Sequence, residues 1–164
     1  MNLAVTDSER LGHQASPLAT TAPGASPLRI LLVEDAEDNR EVIAMFLEGG
    51  RYEVDRAENG AVGVERFLEG HYDLVLMDIH MPVMDGHQAT VAIRQWEHER
   101  EQPSTPIIAL TADAFPDDVD LALDAGCTAH MAKPVRKAAL LKAISTYTAP
   151  ESNQAASDAR RKPV

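Results

Sequence analysis

The sequence predicts an α/β fold in which short strands alternate with helices around a parallel sheet. Short apolar runs recur along the chain, and each is followed by a segment whose apolar residues lie at helical spacing. Glycines and prolines separate these segments. Because successive parallel strands need a crossover connection, this alternation predicts right-handed βαβ units with helices packed over the sheet.

The first two strand–helix units lie in the first half of the chain. Leu28–Val33 is an apolar run after a proline, as expected of a strand covered on both faces. Glu37–Leu47 has apolar residues at helical spacing, and two glycines stop it. Tyr52–Arg56 is predicted to be a short strand. After an Asn-Gly turn, residues 61–68 are predicted to form a helix that ends at Gly70.

The remaining units follow the same alternation. Leu74–Met77 is predicted to be a second buried strand, and Asp85–Arg100 a helix with one apolar stripe that two prolines terminate. Ile107–Leu110 is the next strand. The last predicted elements are a weaker helix, Pro116–Ala125, a short strand, Thr128–Ala132, and a final helix, Lys137–Tyr147.

The composition is that of one folded domain with two polar ends. The chain has 164 residues, of which 45% are apolar and 25% charged, as in ordinary globular proteins. The predicted domain spans residues 28–148. Residues 1–27 are rich in Ala, Ser, Thr and Pro, and residues 149–164 have a similar character, so we predict two flexible tails.

Charge and hydropathy exclude several classes of protein. The net charge of −11 argues against nucleic-acid binding through a basic surface. The sequence has no apolar stretch long enough to span a bilayer and no secretion signal. The single cysteine, Cys127, cannot form an internal disulfide and is predicted to be a small buried side chain. We therefore expect a cytoplasmic protein with no membrane partner.

Four of the predicted strands end in residues that can carry chemistry. Glu34 and Asp35 follow the first strand, Asp78 the third, Thr111 the fourth and Lys133 the fifth. Open α/β sheets place their ligand sites at the carboxyl ends of the strands. If these strands are parallel neighbours, carboxylates, a hydroxyl and an ammonium group gather in one pocket.

The carboxylates in this pocket predict a metal site. Glu34, Asp35 and Asp78 would repel one another, and a hard divalent cation relieves that repulsion. Oxygen ligands suit Mg²⁺, and Asp35, Asp78 and the backbone carbonyl of His80 would leave room for water and a substrate oxygen. The alternative is that Glu34 and Asp35 only begin the following helix, where negative charge is favoured.

Asp78 is the predicted nucleophile. A carboxylate can accept a phosphoryl group as an acyl phosphate, and this transfer needs charge neutralisation more than proton transfer. A cation would hold one phosphoryl oxygen, Lys133 a second, and the Thr111 hydroxyl with backbone N–H groups near Ala112 a third. Taken alone, Thr111 could cap a helix and Lys133 could be a surface lysine.

The motifs around these residues occur in order along the chain: Leu-Leu-Val-Glu34-Asp35, then Leu-Met-Asp78-Ile-His-Met-Pro82-Val-Met-Asp-Gly86, then Ala-Leu-Thr111-Ala, then Ala-Lys133-Pro134-Val. Over roughly Leu28 to Thr148 the chain resembles a response-regulator receiver domain of two-component signalling. The resemblance implies a flavodoxin-like (βα)5 doubly wound sheet with strand order 2-1-3-4-5. It assigns the phosphoacceptor to Asp78, the Mg²⁺ pair to Glu34 and Asp35, the switch hydroxyl to Thr111 and the phosphate-binding lysine to Lys133.

Within that family, the stretches Glu-Asp-Ala-Glu-Asp-Asn39-Arg and Pro-Ile-Ile-Ala-Leu-Thr-Ala-Asp-Ala resemble receivers attached to hybrid histidine kinases. The sequence contains no kinase core and no output domain, so we expect a stand-alone receiver; the alternative is the receiver segment of a hybrid histidine kinase. The family implies a histidine kinase or a histidine phosphotransfer protein as donor, and an unknown downstream protein. Such a chain is not an enzyme beyond catalysing its own phosphorylation and dephosphorylation.

Three further residues take roles only through the resemblance. The family often has an aromatic switch residue three positions before the lysine, where this chain has His130. An imidazole could move between exposed and buried states there, or His130 could be a surface residue without a role. His80 and Asp113 border the pocket in the family pattern, and we expect them to tune the lifetime of the acyl phosphate.

Three other functions fit the sequence less well. Acyl-phosphate hydrolases on related folds want an acidic residue two positions after the nucleophile, where this chain has His80. A flavin-phosphate site calls for a Gly/Ser/Thr-rich loop after the first strand, and the acidic loop here would repel phosphate. A scaffold that works without phosphorylation has no chemical need for Asp78, Thr111 and Lys133 together.

Overall fold

The protein forms a five-stranded parallel sheet with helices on both faces. The computed structural model describes residues 26–112 and 116–149, and only the backbone of 116–118. The strands lie in the order β2-β1-β3-β4-β5, and every neighbouring pair is parallel. This confirms the α/β fold class and the strand order 2-1-3-4-5. The predicted tails, apart from residues 26, 27 and 149, lie outside the described residues.

Every predicted element is present, with bounds within one residue of those predicted. The strands are β1 Leu28–Val33, β2 Tyr52–Ala57, β3 Leu74–Asp78, β4 Ile107–Thr111 and β5 Ala129–Ala132. The helices are α1 Glu37–Leu47, α2 Gly60–Glu69, α3 Gly86–Glu99, α4 Pro116–Asp124 and α5 Lys137–Tyr147.

Two chemically important residues belong to strands rather than following them. Asp78 is the last residue of β3 and pairs with Leu110 of β4, while Thr111 ends β4 opposite Ala132. The ladder extends this far because the N–H of Ile79 still donates to the carbonyl of Leu110 at 3.2 Å. The sheet therefore fixes the backbone of Asp78 and Thr111 on neighbouring strands.

Side chains that alternate along the strands form two cores, one on each face of the sheet. On one face, strand residues pack with Ile43 and Leu47 of α1 and with Leu140 and Ile144 of α5. On the other face they pack with side chains of α2, α3 and α4. The strand side chains of this second face, with their helix partners, are Leu31, Val33, Val75, Met77, Ile107, Ala109, Phe67, Ala89, Ile93 and Ala122. The sheet interior is thus dry, and polar chemistry is confined to its ends.

Two helices leave some of their regularly spaced apolar residues exposed. Ile43 and Leu47 of α1 are buried, but Val42 is 46% exposed. In α2 the buried face runs through Gly63 and Phe67, and Leu68 is 41% exposed. Both helices carry more apolar residues than one buried stripe can hold, so the structure selects one stripe and leaves the other in solvent. Cys127 is buried, as predicted.

Gly86 lets α3 begin directly against the strand that carries Asp78. A Cβ atom at Gly86 would lie 2.1 Å from the backbone oxygen of Asp78, and the Gly86 N–H donates to the carbonyl of Ile79 at 2.9 Å. Asp85 and Gln88 close the start of α3 with a capping box. The close approach leaves no room for a side chain at this position.

We expect Gly86→Ala to lower the free energy of unfolding by roughly 1–3 kcal/mol, because the new methyl group meets backbone that cannot rotate away. Urea denaturation measures this loss. Gly49→Ala is the comparison: a Cβ there meets nothing within 4 Å, so this variant reports only the backbone strain of alanine at φ 74°, which Gly86 does not have. If Gly86→Ala is as stable as the parent, the close contact is not a constraint.

Candidate functional site

The carboxyl ends of four neighbouring strands bring the predicted site residues to one edge of the sheet. Glu34 directly follows β1, Asp78 ends β3, Thr111 ends β4, and Lys133 directly follows β5. Glu34, Asp78 and Thr111 are buried, and Lys133 is partly buried. The order and direction of the strands therefore bring these four residues together.

Lys133 bridges two buried carboxylates. Its Nζ atom lies 2.7 Å from Oε2 of Glu34 and 2.8 Å from Oδ2 of Asp78. The side chain of Glu34 is fully buried and that of Asp78 nearly so. Ion pairs removed from water cost desolvation free energy unless they are well bonded, and here one ammonium group donates to both anions. Lys133 thus offsets part of the negative charge that the two carboxylates bring into the fold.

Three carboxylates form a cluster with the geometry of a cation site. One oxygen each from Glu34, Asp35 and Asp78 can be chosen so that all lie within 4.8 Å of one another. Asp35 is exposed, so the cluster opens to solvent on that side. Three carboxylates and one ammonium leave two uncompensated negative charges, and an all-oxygen donor set suits a hard divalent cation. The residues therefore fit Mg²⁺.

The environment raises the pKa of both Asp78 and Lys133. For Asp78 the main cause is burial, which outweighs the hydrogen bond from Lys133; the neighbouring charge of Glu34 adds to the increase. Burial lowers the pKa of Lys133, but its hydrogen bonds to Asp78 and Glu34 more than offset this and raise it overall. The surroundings thus favour the charged form of Lys133, while burial disfavours the charged form of Asp78.

Two residues of α1, to which the sequence analysis gave no role, hold the acidic loop. The Asn39 side-chain amide donates to Oε1 of Glu34 at 3.1 Å. The Arg40 guanidinium donates to the backbone oxygens of Glu34 at 2.7 Å and Asp35 at 3.3 Å. Ala36, the N-cap residue of α1, provides no side-chain cap. The motif Glu-Asp-Ala-Glu-Asp-Asn39-Arg was visible in the sequence, but spacing alone did not indicate which atoms meet.

The loop between β3 and α3 is held near both of its ends. The backbone N–H of His80 donates to Oδ1 of Asp78 at 3.3 Å, and the His80 side chain is exposed. Further along, the N–H of Gly60 donates to the carbonyl of Met84 at 3.1 Å. Val83 between them has φ 72°, which costs free energy in a β-branched residue, and is 85% exposed.

The remaining predicted site residues are Thr111, His130 and Asp113. Thr111 is 1% exposed, and within residues 26–112 and 116–149 its hydroxyl has no hydrogen-bond partner. Its backbone oxygen accepts from the N–H of Lys133 at 2.7 Å. His130 is exposed on the edge strand β5. Asp113 lies outside the described residues. The roles predicted for all of them stay predictions.

A groove adjoins the cluster on the α1 side. Its lining includes Glu34 and Asn39 at one end and apolar side chains of α1 and of the segment after β5 at the other, among them Val42, Pro134 and Val135. Met45, one helical turn beyond Val42, is 60% exposed. An exposed apolar strip therefore leads from α1 to the carboxylate cluster.

The model of the response regulator receiver domain family matches residues 30–145. The chain is 47% identical over 114 residues to the two-component response regulator ORR41 of Oryza sativa subsp. japonica, a match that covers 67% of this chain and 86% of ORR41. It is 39% identical over 132 residues to the sensor protein GacS of Pseudomonas syringae pv. syringae, covering 80% of this chain. That match spans only 14% of GacS.

Solved structures agree with the sequence comparisons. One is the receiver domain of the sensor histidine kinase PA1611 from Pseudomonas aeruginosa PAO1, which has a magnesium ion coordinated in its active site cleft. The two chains are 38% identical, and they superpose with a TM-score of 0.67 over 74% of this chain and 98% of that chain. Another is the complex of the Saccharomyces cerevisiae histidine phosphotransfer protein Ypd1 with the receiver domain of Ssk1: 30% identity, TM-score 0.74, covering 77% and 92%.

The raised pKa of Asp78 predicts a pH dependence of stability. The folded protein retains this proton at pH values where the unfolded chain has lost it, so the contribution of Asp78 to stability falls as pH rises from about 3.9 through the raised pKa. Asp78→Asn removes the contribution. We expect the variant's gain in free energy of unfolding over the parent to grow with pH in that window, as measured by urea denaturation. If the difference in free energy of unfolding between Asp78→Asn and the parent instead shrinks as pH rises, the predicted pH dependence is wrong.

Proposed function

Because this chain belongs to the response regulator receiver domain family of two-component signalling, we propose that it accepts a phosphoryl group on Asp78. The observation that carries the proposal is that Asp78 contacts the Lys133 ammonium group and also belongs to a cluster of three carboxylates with Glu34 and Asp35. A structural ion pair would need one carboxylate per ammonium. The excess of negative charge at an open edge instead suits a cation and a phosphoryl group.

In the proposed reaction a carboxylate oxygen of Asp78 attacks the phosphorus atom of a phosphohistidine. The new O–P bond forms as the P–N bond breaks, and the imidazole leaves with its bonding electrons and takes up a proton. The product is an acyl phosphate on Asp78. Lys133 supports the step because its ammonium group favours the ionised form of Asp78 before attack and can donate to a phosphoryl oxygen afterwards.

Mg²⁺ is the proposed cofactor. Glu34, Asp35, Asp78 and the backbone carbonyl of His80 would hold it, the acidic cluster supplying the carboxylate oxygens. When bound, the ion neutralises charge on the phosphoryl oxygens. The similar PA1611 receiver, which holds magnesium in its cleft, supports this assignment.

Receiver domains are signalling switches rather than enzymes with substrates of their own, and we propose that Thr111 starts the switch here. Its buried hydroxyl can donate to the new phosphoryl group, which would shift the population toward the phosphorylated conformation. His130 is the proposed second switch residue, and His80 and Asp113 the residues that set the lifetime of the acyl phosphate. The signal would leave through protein–protein contacts or onward phosphotransfer.

The similar proteins include both a response regulator and a much longer sensor protein, so they support two different contexts for this receiver. ORR41 is a response regulator of similar length to the match, which favours a stand-alone receiver. GacS is a sensor protein much longer than the match, which favours the alternative. We propose the stand-alone form, in a cytoplasmic location. None of the helices in the described part of the chain is long and apolar enough to cross a membrane.

A histidine phosphotransfer protein or a histidine kinase is the proposed donor. Asp78 is nearly buried, so a phosphohistidine can reach it only from the open edge of the sheet. Val42 lines the groove beside that edge, and with the exposed Met45 one helical turn further along α1 it offers an apolar surface for the donor. The complex of Ypd1 with a similar receiver supports this class of partner.

Incubation with Mg²⁺ and acetyl phosphate tests the chemistry. We expect the intact mass of the parent to rise by one phosphoryl group, only when Mg²⁺ is present, because the reaction needs the charge of the acidic cluster neutralised. The Asp78→Asn variant should not gain mass. A gain in both proteins would place the acceptor elsewhere. No gain in either, while a known receiver is labelled in parallel, would contradict the proposed function.

Met45→Glu tests the donor surface. We expect transfer from a phosphorylated histidine phosphotransfer protein to slow about tenfold, because a charge replaces apolar contact area worth roughly 1–2 kcal/mol. Labelling by acetyl phosphate should not change. The control is Val91→Glu, which places the same charge on an apolar residue of α3 that is 52% exposed on the other face of the sheet. Equal slowing by both variants would show that Met45 does not contact the donor.

A further inference from the structure

We propose that Asn39 is a positioning residue of the phosphoryl pocket, which acts through Glu34 and sets the affinity of the pocket for a divalent cation. The rate of phosphorylation should follow that affinity, a consequence that rests on the proposed function. The observation behind the proposal is that the two oxygens of Glu34 face different partners.

The two carboxylate oxygens of Glu34 contact different partners: one faces α1 and the other faces Lys133. Oε1 accepts from the Asn39 amide at 3.1 Å and from the backbone N–H of Ala36 at 3.3 Å. Oε2 lies 2.7 Å from Nζ of Lys133, which in turn contacts Asp78. Contacts therefore run from Asn39 through Glu34 and Lys133 to Asp78.

A glutamate carboxylate does not orient itself. The terminal torsion of Glu is broad, so contacts must decide which oxygen faces the pocket. Without the Asn39 amide, Oε1 keeps only the longer contact to Ala36. A buried carboxylate that loses a donor either pays the desolvation cost or turns toward the remaining donor, which is Lys133. Either change disturbs the oxygen offered to a cation.

The residue type at position 39 suits this task. An amide donates a hydrogen bond without adding charge. A lysine or arginine here would add a second cation beside Lys133 and compete with a metal ion, and an aspartate would add a fourth carboxylate to the cluster. The neutral donor satisfies Glu34 and leaves the excess negative charge available.

Arg40 complements Asn39 on the backbone. Its guanidinium holds the carbonyl oxygens of Glu34 and Asp35. Asn39 and Arg40 both lie near the start of α1, where Ala36 supplies no side-chain cap. The first turn of the helix therefore fixes both the side chain and the backbone of the acidic loop, and the side-chain contact can be removed separately.

Calorimetric titration of the intact chain with Mg²⁺ tests the proposal. We expect Asn39→Ala to weaken Mg²⁺ binding about tenfold, the lower end of what is lost when a residue that orients a metal ligand is removed. The matched control is Asn59→Ala. Asn59, like Asn39, lies near the start of a helix and forms a hydrogen bond through its amide side chain. Its Oδ1 atom caps α2 by accepting from the N–H of Val62 at 3.0 Å. The Asn59→Ala substitution should therefore lower the stability of the fold without removing a contact of Glu34.

The outcomes separate the two proposals. A tenfold loss in Asn39→Ala with parent-like affinity in Asn59→Ala supports the positioning role, whether or not acetyl phosphate labels Asp78. Parent-like affinity in Asn39→Ala overturns it, even if Asp78 is phosphorylated. Equal losses in both variants also overturn it, because the effect is then one of stability. A parent chain that binds no Mg²⁺ overturns it as well. If acetyl phosphate does not label Asp78 but Mg²⁺ affinity is lost only in Asn39→Ala, the result counts against the proposed function and leaves the positioning role standing.

Discussion

The rest of the site depends on the ammonium group of Lys133 lying between two buried carboxylates. Glu34 and Asp78 lie at the ends of neighbouring strands, where both side chains are buried and their negative charges repel. Without a cation between them, one would bind a proton or the strand ends would separate. Lys133 contacts both at less than 3 Å. One side chain after β5 therefore lets β1 and β3 end in charged residues.

This arrangement explains why so much of the site was predictable from sequence. Parallel strands covered on both faces must be apolar along their length, so the point where polarity returns marks the strand end. Glu34, Asp78, Thr111 and Lys133 stand at such points, and the sheet brings them to one edge. The prediction needed no side-chain geometry, only the direction of the strands. The family comparison then agreed with the fold inferred from the same residues.

What the sequence did not reveal depends on side-chain direction. Helical spacing gave α1 two apolar stripes, and only packing against α5 and the sheet decides that Ile43 is buried while Val42 is exposed. Asn39 and Arg40 were likewise indistinguishable from ordinary polar residues of a helix start. Their contacts reach back to the preceding loop rather than along the helix, and periodicity does not report such contacts.

Under the proposed function, the charges of Glu34, Asp78 and Lys133 would also set the cost of switching. An acyl phosphate on Asp78 would replace one negative charge with roughly two, so the pocket would gain negative charge where it already has an excess. Lys133 cannot keep every present contact and also donate to the phosphoryl group. Its contact with Glu34 can persist, because Asn39 holds the far side of that carboxylate, and its contact with Asp78 is the one to be exchanged. Thr111, buried at the end of the adjacent strand, is then a hydrogen-bond donor close to the site of the added charge. Under the proposed function, a rigid Glu34 would leave Lys133, directly after β5, and Thr111, at the end of β4, as the side chains that respond to phosphorylation.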